Sequence, residues 1–315
     1  MKRNIYLKDS QVSLWLKAAI AVAVLALLLV GTGTAQAQQL EPRAYSPAPV
    51  GLNIFGVAAY FSSGGEVTDP ASPIQNVIAR VSTAMPYYGR TFGLLGRQAS
   101  VTVATPVANA EIHGDVNEVG RSIDRTGVLD PLVRLAVNLF GGPALTPQEF
   151  RQRKPETTLG ASIAVTAPLG QYDPVKLINL GTNRWACKPE LGFSQPVGDW
   201  TFELYAGVWL FEDNDNYFGG KVRRQDPLAS YQGHIVYELK PHLWASADYT
   251  YYIGGETTVG GVPQHDRQDN SRGGLTLSVP VSNNQSFKLT WARGVSTRIG
   301  SSFDTMGVAW QWTWF

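Results

Sequence analysis

From Leu243 to Ile253 the chain alternates without a break. Leu243, Ala245, Ala247, Tyr249, Tyr251 and Ile253 fall on one face, and Trp244, Ser246, Asp248, Thr250 and Tyr252 on the other. A repeat of two belongs to a strand, because a helix repeats near 3.6. The same phase holds from 200 to 211, where Trp200, Phe202, Leu204, Ala206, Val208 and Leu210 oppose Thr201, Glu203, Tyr205 and Gly207. It holds again from 229 to 240, where Ala229, Tyr231, Gly233, Ile235, Tyr237 and Leu239 oppose Ser230, Gln232, His234, Glu238 and Lys240, and it recurs at Leu159–Leu169, Val133–Leu139 and Leu275–Val279. Long strands with one oily and one markedly polar face need two different surroundings, and few folds supply them.

The two ends narrow the choice. Lys2, Arg3, Lys8 and Lys17 precede and flank the apolar run "AAIAVAVLALLLV" (18–30), and Ala35-Gln36-Ala37 follows as a small-x-small box. This order is that of a secretory signal peptide cut after Ala37, and the cleavage box argues against an uncleaved anchor. At the other end, "VAWQWTWF" (308–315) sets Trp310, Trp312 and Trp314 on one face of a last strand. After the signal no apolar run reaches the ~18 residues of a membrane helix. Residues 38–50, "QQLEPRAYSPAPV", precede the first strand as a periplasmic lead segment, which forms either a plug or a disordered lead, and their Pro and Ala content favours an extended lead.

An exported, strand-rich chain is either a secreted β-sandwich or an outer-membrane barrel, and the connections separate these. "PVGDW" (196–200), "KPHL" (240–243) and "SNNQ" (282–285) are tight turns, whereas 212–227 and 254–274 are long polar loops. Short and long connections alternate, as in a transmembrane barrel with short periplasmic turns and long outer loops. A sandwich does not sort its loops this way. The expected fold is therefore all-β, a transmembrane antiparallel β-barrel over 51–315. Counting gives twelve strands, at 51–62, 74–87, 97–110, 128–140, 157–170, 184–196, 199–212, 228–240, 242–254, 271–281, 285–297 and 302–315. The less regular first half leaves ten or fourteen open. Even parity returns both termini to the periplasm. Pro86, Pro106, Pro168, Pro189 and Pro280 belong near strand ends or bulges, because each removes a ladder donor.

In a barrel the oily faces meet lipid and the other phase lines the interior. That phase holds Asn53, Arg80, Arg134, Lys188, Glu190, Glu203, Tyr205, His234, Glu238, Asp248, Arg272 and Lys288 as lumen candidates, with Phe55, Phe61, Trp209, Phe211, Trp244 and Tyr252 as aromatic neighbours. Both charge signs are mixed, so no strong ion preference is expected. Buried charges in a small barrel commonly pair and hold the wall together, which competes with a role in lining a path. Arg293 is in phase with apolar Phe287, Leu289 and Trp291, which implies snorkelling or a bulge.

Other chemistry finds little support. The net charge is +1 and the first 37 residues carry +3 of it, so the remainder is −2 and offers no basic footprint for nucleic acid. A lone Cys187, in phase with Trp185, Leu191 and Phe193, reads as a small hydrophobe. Four scattered histidines suggest neither a metal site nor a cofactor site. Glu212, Asp213 and Asp215 lack the glycine and final glutamate of a calcium loop. No G-x-S-x-G, H-E-x-x-H or phosphate loop occurs. His234 and Glu238 share a face and imitate a base with its orienting acid, but no nucleophile stands beside them.

The segments "GRSIDRTGVLDPLVRLAVNLFGGPALTPQEF" (120–150), "APLGQYDPVKLINLGTNRWACKPELGFS" (167–194), "RRQDPLASYQGHIVYELKPHLWASADYTYYIGG" (223–255) and "STRIGSSFDTMGVAWQW" (296–312) carry a family likeness. Through them the chain resembles the outer-membrane family described as "putative MetA-pathway of phenol degradation". Gly181-Thr182-Asn183-Arg184-Trp185, Lys188-Pro189-Glu190 and Gln225-Asp226-Pro227 are the most specific pieces. The resemblance implies an outer-membrane transporter-type barrel with an association to aromatic breakdown, and no catalytic residues. The ending also resembles the aromatic signal read by the barrel-assembly machinery, although Phe315 is one position out of phase with the tryptophans.

The expectation is thus a monomeric, non-enzymatic barrel in outer-membrane lipid that passes small hydrophobic or aromatic solutes. A lipid hydrolase and a plugged structural barrel are the alternatives.

Overall fold

The structure, a computed structural model, describes residues 40–67, 74–116 and 119–315. The expected signal peptide lies outside the described residues. The strands are β1 (Asn53–Val67), β2 (Ile74–Leu94), β3 (Arg97–Ala104), β4 (Val107–Val116), β5 (Val119–Val128), β6 (Leu132–Phe140), β7 (Thr158–Thr166), β8 (Ala186–Val197) and β9 (Trp200–Phe211). They continue as β10 (Asn214–Tyr217), β11 (Lys221–Gln225), β12 (Leu228–Lys240), β13 (Leu243–Gly254), β14 (Thr257–Val259), β15 (Val262–Pro263), β16 (Gln268–Ser282), β17 (Gln285–Thr297) and β18 (Gly300–Trp314). One turn of helix, α1 (Pro147–Phe150), is capped by Thr146 in a reciprocal box with Glu149.

β1 pairs antiparallel with both β2 and β18, which closes the main sheet on itself. β2 is long enough to pair with two strands in succession, with β3 along Tyr87–Leu94 and with β4 along Ile74–Ala84. β3 and β4 are therefore one wall strand broken at Thr105-Pro106, and β5 and β6 are one broken at 129–131. The wall has twelve strands. A row of prolines marks the breaks. The Pro86 carbonyl accepts from Thr105 N (3.2 Å), that of Pro106 from Leu129 N (2.9 Å) and that of Pro131 from Ala167 N (3.1 Å). Each proline withholds a donor yet keeps its carbonyl in the ladder. Pro280 adjoins a register shift against β17, and Pro168 lies beyond the end of β7.

Burial runs opposite to a soluble protein. On β9, Glu203 and Tyr205 are 1% and 2% exposed, while Phe202 and Leu204 are 44% and 66% exposed. The apolar set forms an outer belt, which bilayer hydrocarbon accepts and water does not. Trp310, Trp312 and Trp314 belong to it, opposite Val57, Phe55 and Asn53 on β1. Arg293 also faces outward, 3.6 Å from Asp304 across β17 and β18, with the register shift one residue further on.

One end carries the tight turns at 95–96, 198–199, 241–242 and 283–284, together with the α1 connection. Gly198 (φ 60°) and His242 (φ 67°) take the left-handed conformation that two-residue hairpins demand. The other end carries the long loops. There β11 pairs with β14, so two loops knit into a small sheet of β10, β11, β14 and β15.

Four sequence expectations need correction. Asn53, Phe55 and Phe61 share the outer face of β1, and Arg80 faces outward opposite Ser63 and Glu111. The inner face of β1 mixes small residues (Gly56, Ala58, Ser62) with Ile54 and Tyr60, so apolar bulk does not mark one face. Glycines on facing strands make room for the rings. A Cβ on Gly56 would overlap the Tyr87 ring, and one on Gly307 would crowd Tyr60. Arg80 lies where β2 and β4 have passed the apolar belt, and its outward neighbours Glu111, Asn109 and Asp124 are polar as well. An outward charge there meets water.

Candidate functional site

The barrel interior contains the start of the described chain. Of the plug and the extended lead that the sequence left open, residues 40–50 depart from the favoured one: they turn into the lumen and do not extend freely into the periplasm. They enter at the short-turn end, where Val50 N donates to Leu145 O (2.8 Å) and Thr91 Oγ1 to Pro49 O (2.6 Å). Leu40 reaches Gly274 on β16, and Tyr45 reaches β7 and β8, so the segment crosses the lumen.

Tyr45 is its anchor, 2% exposed. Its hydroxyl lies 2.8 Å from Ser162 Oγ and donates to Glu190 Oε1 at 3.0 Å. Its ring stands edge-on to Tyr205, 5.1 Å between centroids, and the Arg134 guanidinium lies 5.0 Å from its centre. Gly160 and Gly192, paired across β7 and β8, make room for the ring, because a Cβ on either would overlap it. Glycine inside a strand marks a close approach, and here the approaching group is Tyr45. Burial, then Glu190, pushes its hydroxyl up to about 12, so the phenol stays neutral.

The backbone of the segment is held too. Arg43 N donates to Glu203 Oε2 at 2.7 Å, and Ala44 N donates to the Tyr205 hydroxyl at 3.2 Å. The Arg43 side chain sits 3.7 Å from Glu238 and over the Trp244 ring. Glu41 pairs with Arg134 at 3.5 Å, and Arg134 reaches Glu190 at 3.5 Å. Burial alone would raise the Glu41 carboxyl, but Arg134, then Lys188 and Lys288, hold it below the usual range.

The candidates fall into two groups. Arg134, Lys188, Glu190, Glu203, Tyr205 and Glu238 lie around the lead, with Lys188 paired to Glu190 and set over the Trp209 ring. His234, Asp248, Arg272 and Lys288 belong to the β12–β17 wall. His234 was expected beside Glu238, but its Nδ1 lies 2.7 Å from Asp248 Oδ1, and Asp248 Oδ2 accepts from Ser246 (3.1 Å) and Thr276 (2.8 Å). A bulge between Glu238 and Lys240 sets this register. The two-residue β12–β13 turn alone would put His234 opposite Tyr249, and the one-residue shift brings it opposite Asp248. His234 Nε2 is buried with no hydrogen-bond partner among the described residues, and the nearby hydroxyls of Ser246 and Thr276 serve Asp248 instead. Arg272 donates to Phe303 O (3.2 Å) and Thr305 Oγ1 (3.0 Å), and Lys288 lies 5.7 Å from the Trp244 ring centre. The described residues hold no group of three or more metal-type ligands, and Asp213 pairs with Arg224 at 2.8 Å.

At the outer rim two family-like pieces meet. Asp130 accepts from Gly170 N (2.9 Å), Thr182 N (2.8 Å) and Thr182 Oγ1 (2.6 Å), which folds the loop after β7 against the break between β5 and β6. Arg184 bonds Gln225 and covers Phe211, joining that loop to the one before β12.

A closed twelve-strand wall, an apolar outer belt and a charged, aromatic interior define a channel-type β-barrel of the bacterial outer membrane. The chain belongs to the family described as "Putative MetA-pathway of phenol degradation", whose model matches residues 59–311. The COG4313 outer membrane channel from Pseudomonas putida F1 is similar in fold, with TM-score 0.75 and 20% identity over 88% of this chain and 100% of that one. The β-domain of the Bordetella autotransporter BrkA (TM-score 0.52, 11% identity, 84% and 100% covered) shares the barrel form. So does the transport unit of the autotransporter AIDA-I from Escherichia coli (TM-score 0.51, 9% identity, 88% and 94% covered). No curated protein matches the sequence.

Proposed function

We propose that this protein is a passive channel for small hydrophobic or aromatic compounds, closed in the observed state by its own residues 40–50 and serving cells that break such compounds down. It works as a monomer, without cofactor or energy coupling, after delivery by the barrel-assembly machinery. One observation carries the reading. The lumen is crossed by a segment held through side-chain hydrogen bonds and ion pairs rather than by strand pairing, so it is removable without opening the wall. Each neutral bond of this kind contributes about 0.5–1.5 kcal/mol, and those to charged groups about 1.5–3 kcal/mol. Around the segment, Tyr205, Trp209, Trp244 and Tyr252 offer flat apolar surface between paired charges.

Single-channel recording in planar bilayers tests this, comparing the intact mature protein with a form lacking residues 38–48. The shortened form is expected to conduct steadily and the intact one to open rarely. If both stay silent, and liposomes bearing them take up no aromatic solute, the channel reading fails. The hydrolase alternative gains an oriented histidine in His234, but its Nε2 meets no hydrogen-bonded nucleophile among the described residues.

A further inference from the structure

Tyr45 carries a phenol ring, and the barrel receives it as a binding site receives a ligand. Two paired glycines on neighbouring strands leave a slot of ring width. The Tyr205 ring closes one side edge-on, and the Arg134 guanidinium covers a ring face. At the end of the slot Ser162 and Glu190 meet the hydroxyl. Glu190 is in turn fixed by Lys188 and Arg134. Strand glycines are costly unless something must come close, and the atoms nearest to these two are those of Tyr45 in the removable segment, with the Tyr205 ring next at Gly192. The wall is therefore shaped to Tyr45, while Tyr45 is tied to the wall by non-covalent contacts alone.

We propose that the Gly160–Gly192 slot is a binding site for a hydroxylated aromatic solute, which takes the place of Tyr45 and thereby frees the lead from the lumen. The inference rests on the channel reading for its purpose, though not for its geometry. A ring without a hydroxyl fills the slot but leaves Ser162 and Glu190 unanswered, and an unpaired buried polar group is penalised more than a formed bond is rewarded. The slot therefore discriminates by the hydroxyl. Its occupant loosens the segment at its most buried anchor, leaving Arg43, Ala44 and Glu41 to hold the rest. Solute and gate are thus coupled by competition for one place, and no second site is needed.

The test uses the full mature protein folded in detergent, with 4-methylphenol, the side chain of tyrosine, as probe and toluene as its hydroxyl-free counterpart. Binding is read by titration calorimetry. Tyr45→Ala removes the resident ring, and its affinity for 4-methylphenol should exceed that of the intact protein by about tenfold or more. Toluene should bind that variant about tenfold more weakly than 4-methylphenol does, the difference a charged hydrogen-bond acceptor makes. The double variant Tyr45→Ala, Gly160→Leu refills the slot and should lose the gain. A heat-modifiable gel shift confirms that each variant is folded. Equal affinity of the two probes for Tyr45→Ala, or binding unaffected by Gly160→Leu, overturns the proposal. Bilayer recordings separate the two readings. Selective binding with silent bilayers removes the channel and leaves the slot, whereas conduction with unselective binding removes the slot alone.

Discussion

The two sides of the lumen solve one problem differently. Along β12, β13 and β16 a buried cluster is partnered from within the wall, Asp248 accepting from Ser246 and Thr276 and meeting His234. Beside it Ser230 Oγ, Gln232 Oε1, His234 Nε2 and Thr250 Oγ1 find no partner among the described residues. Along β7, β8 and β9 the buried polar groups turn to the lead, Glu203 taking Arg43 N and Ser162 and Glu190 taking the Tyr45 hydroxyl. A buried polar group needs a partner wherever the partner comes from. In one wall the Asp248 cluster draws its partners from the wall itself, while the other wall is completed by a piece that is not part of it. Stability and gating are therefore carried by different residues, and substitutions should separate them.

The sharpest break is Tyr45→Ala. Removing a buried aromatic side chain should take about 3–5 kcal/mol from the docking of the lead. Open time in bilayers should rise strongly, with little change in the denaturant midpoint of the barrel. A fallen midpoint with unchanged conductance would mean that Tyr45 supports the wall. On the opposite side, Asp248→Ala leaves His234, Ser246 and Thr276 without their acceptor. A loss of about 3 kcal/mol of barrel stability is expected, read as a lowered unfolding temperature on heat-modifiability gels. The lead should stay protected from protease as long as the barrel is folded.

Glu203→Gln keeps the size of the side chain and removes the charge that receives Arg43 N. It should weaken the hold on the lead by about 1–2 kcal/mol, seen as a smaller rise in open time than Tyr45→Ala gives. Acid acts in the same direction. Because Glu41 is held below its ordinary value of 4.5, its contribution to docking is complete above about pH 4.5 and fades as pH falls through its lowered pKa. Open time should be flat from neutral pH to about 4.5 and rise below it, and Glu41→Gln should abolish the rise. The smallest effect belongs to the outer face. Arg293 and Asp304 are 67% and 41% exposed, so breaking their pair should shift stability by less than about 1 kcal/mol.

Much of this was legible in the residues. Alternation at 200–211 and 243–253 identified strands and their oily face, and the tight turns near 198, 241 and 283 gave the order of the hairpins. The same logic failed on β1 and β2, where bulky apolar residues stand on both faces. There Phe55 and Arg80 gave no sign of their direction, because Tyr60 and Tyr87 put aromatic bulk on the inner face as Phe55 and Phe61 do on the outer one. The partner of His234 was not readable, since the two-residue turn alone would pair it with Tyr249 and a bulge between Glu238 and Lys240 shifts it to Asp248. Gly160 and Gly192 were a signal left unread. Two glycines in the midst of strands announced that something approaches there, without saying what.

Local pattern alone, then, determined the barrel. Period-two polarity, turn chemistry and the absence of any later helix-length apolar run admit little else, because the bilayer tolerates no unpaired backbone. Only the tertiary structure decided that residues 40–50 lie inside it and which wall they complete. Docking brings Tyr45 to Gly160 and Gly192, more than a hundred residues away, and the cavity that joins them exists only once all twelve strands have closed.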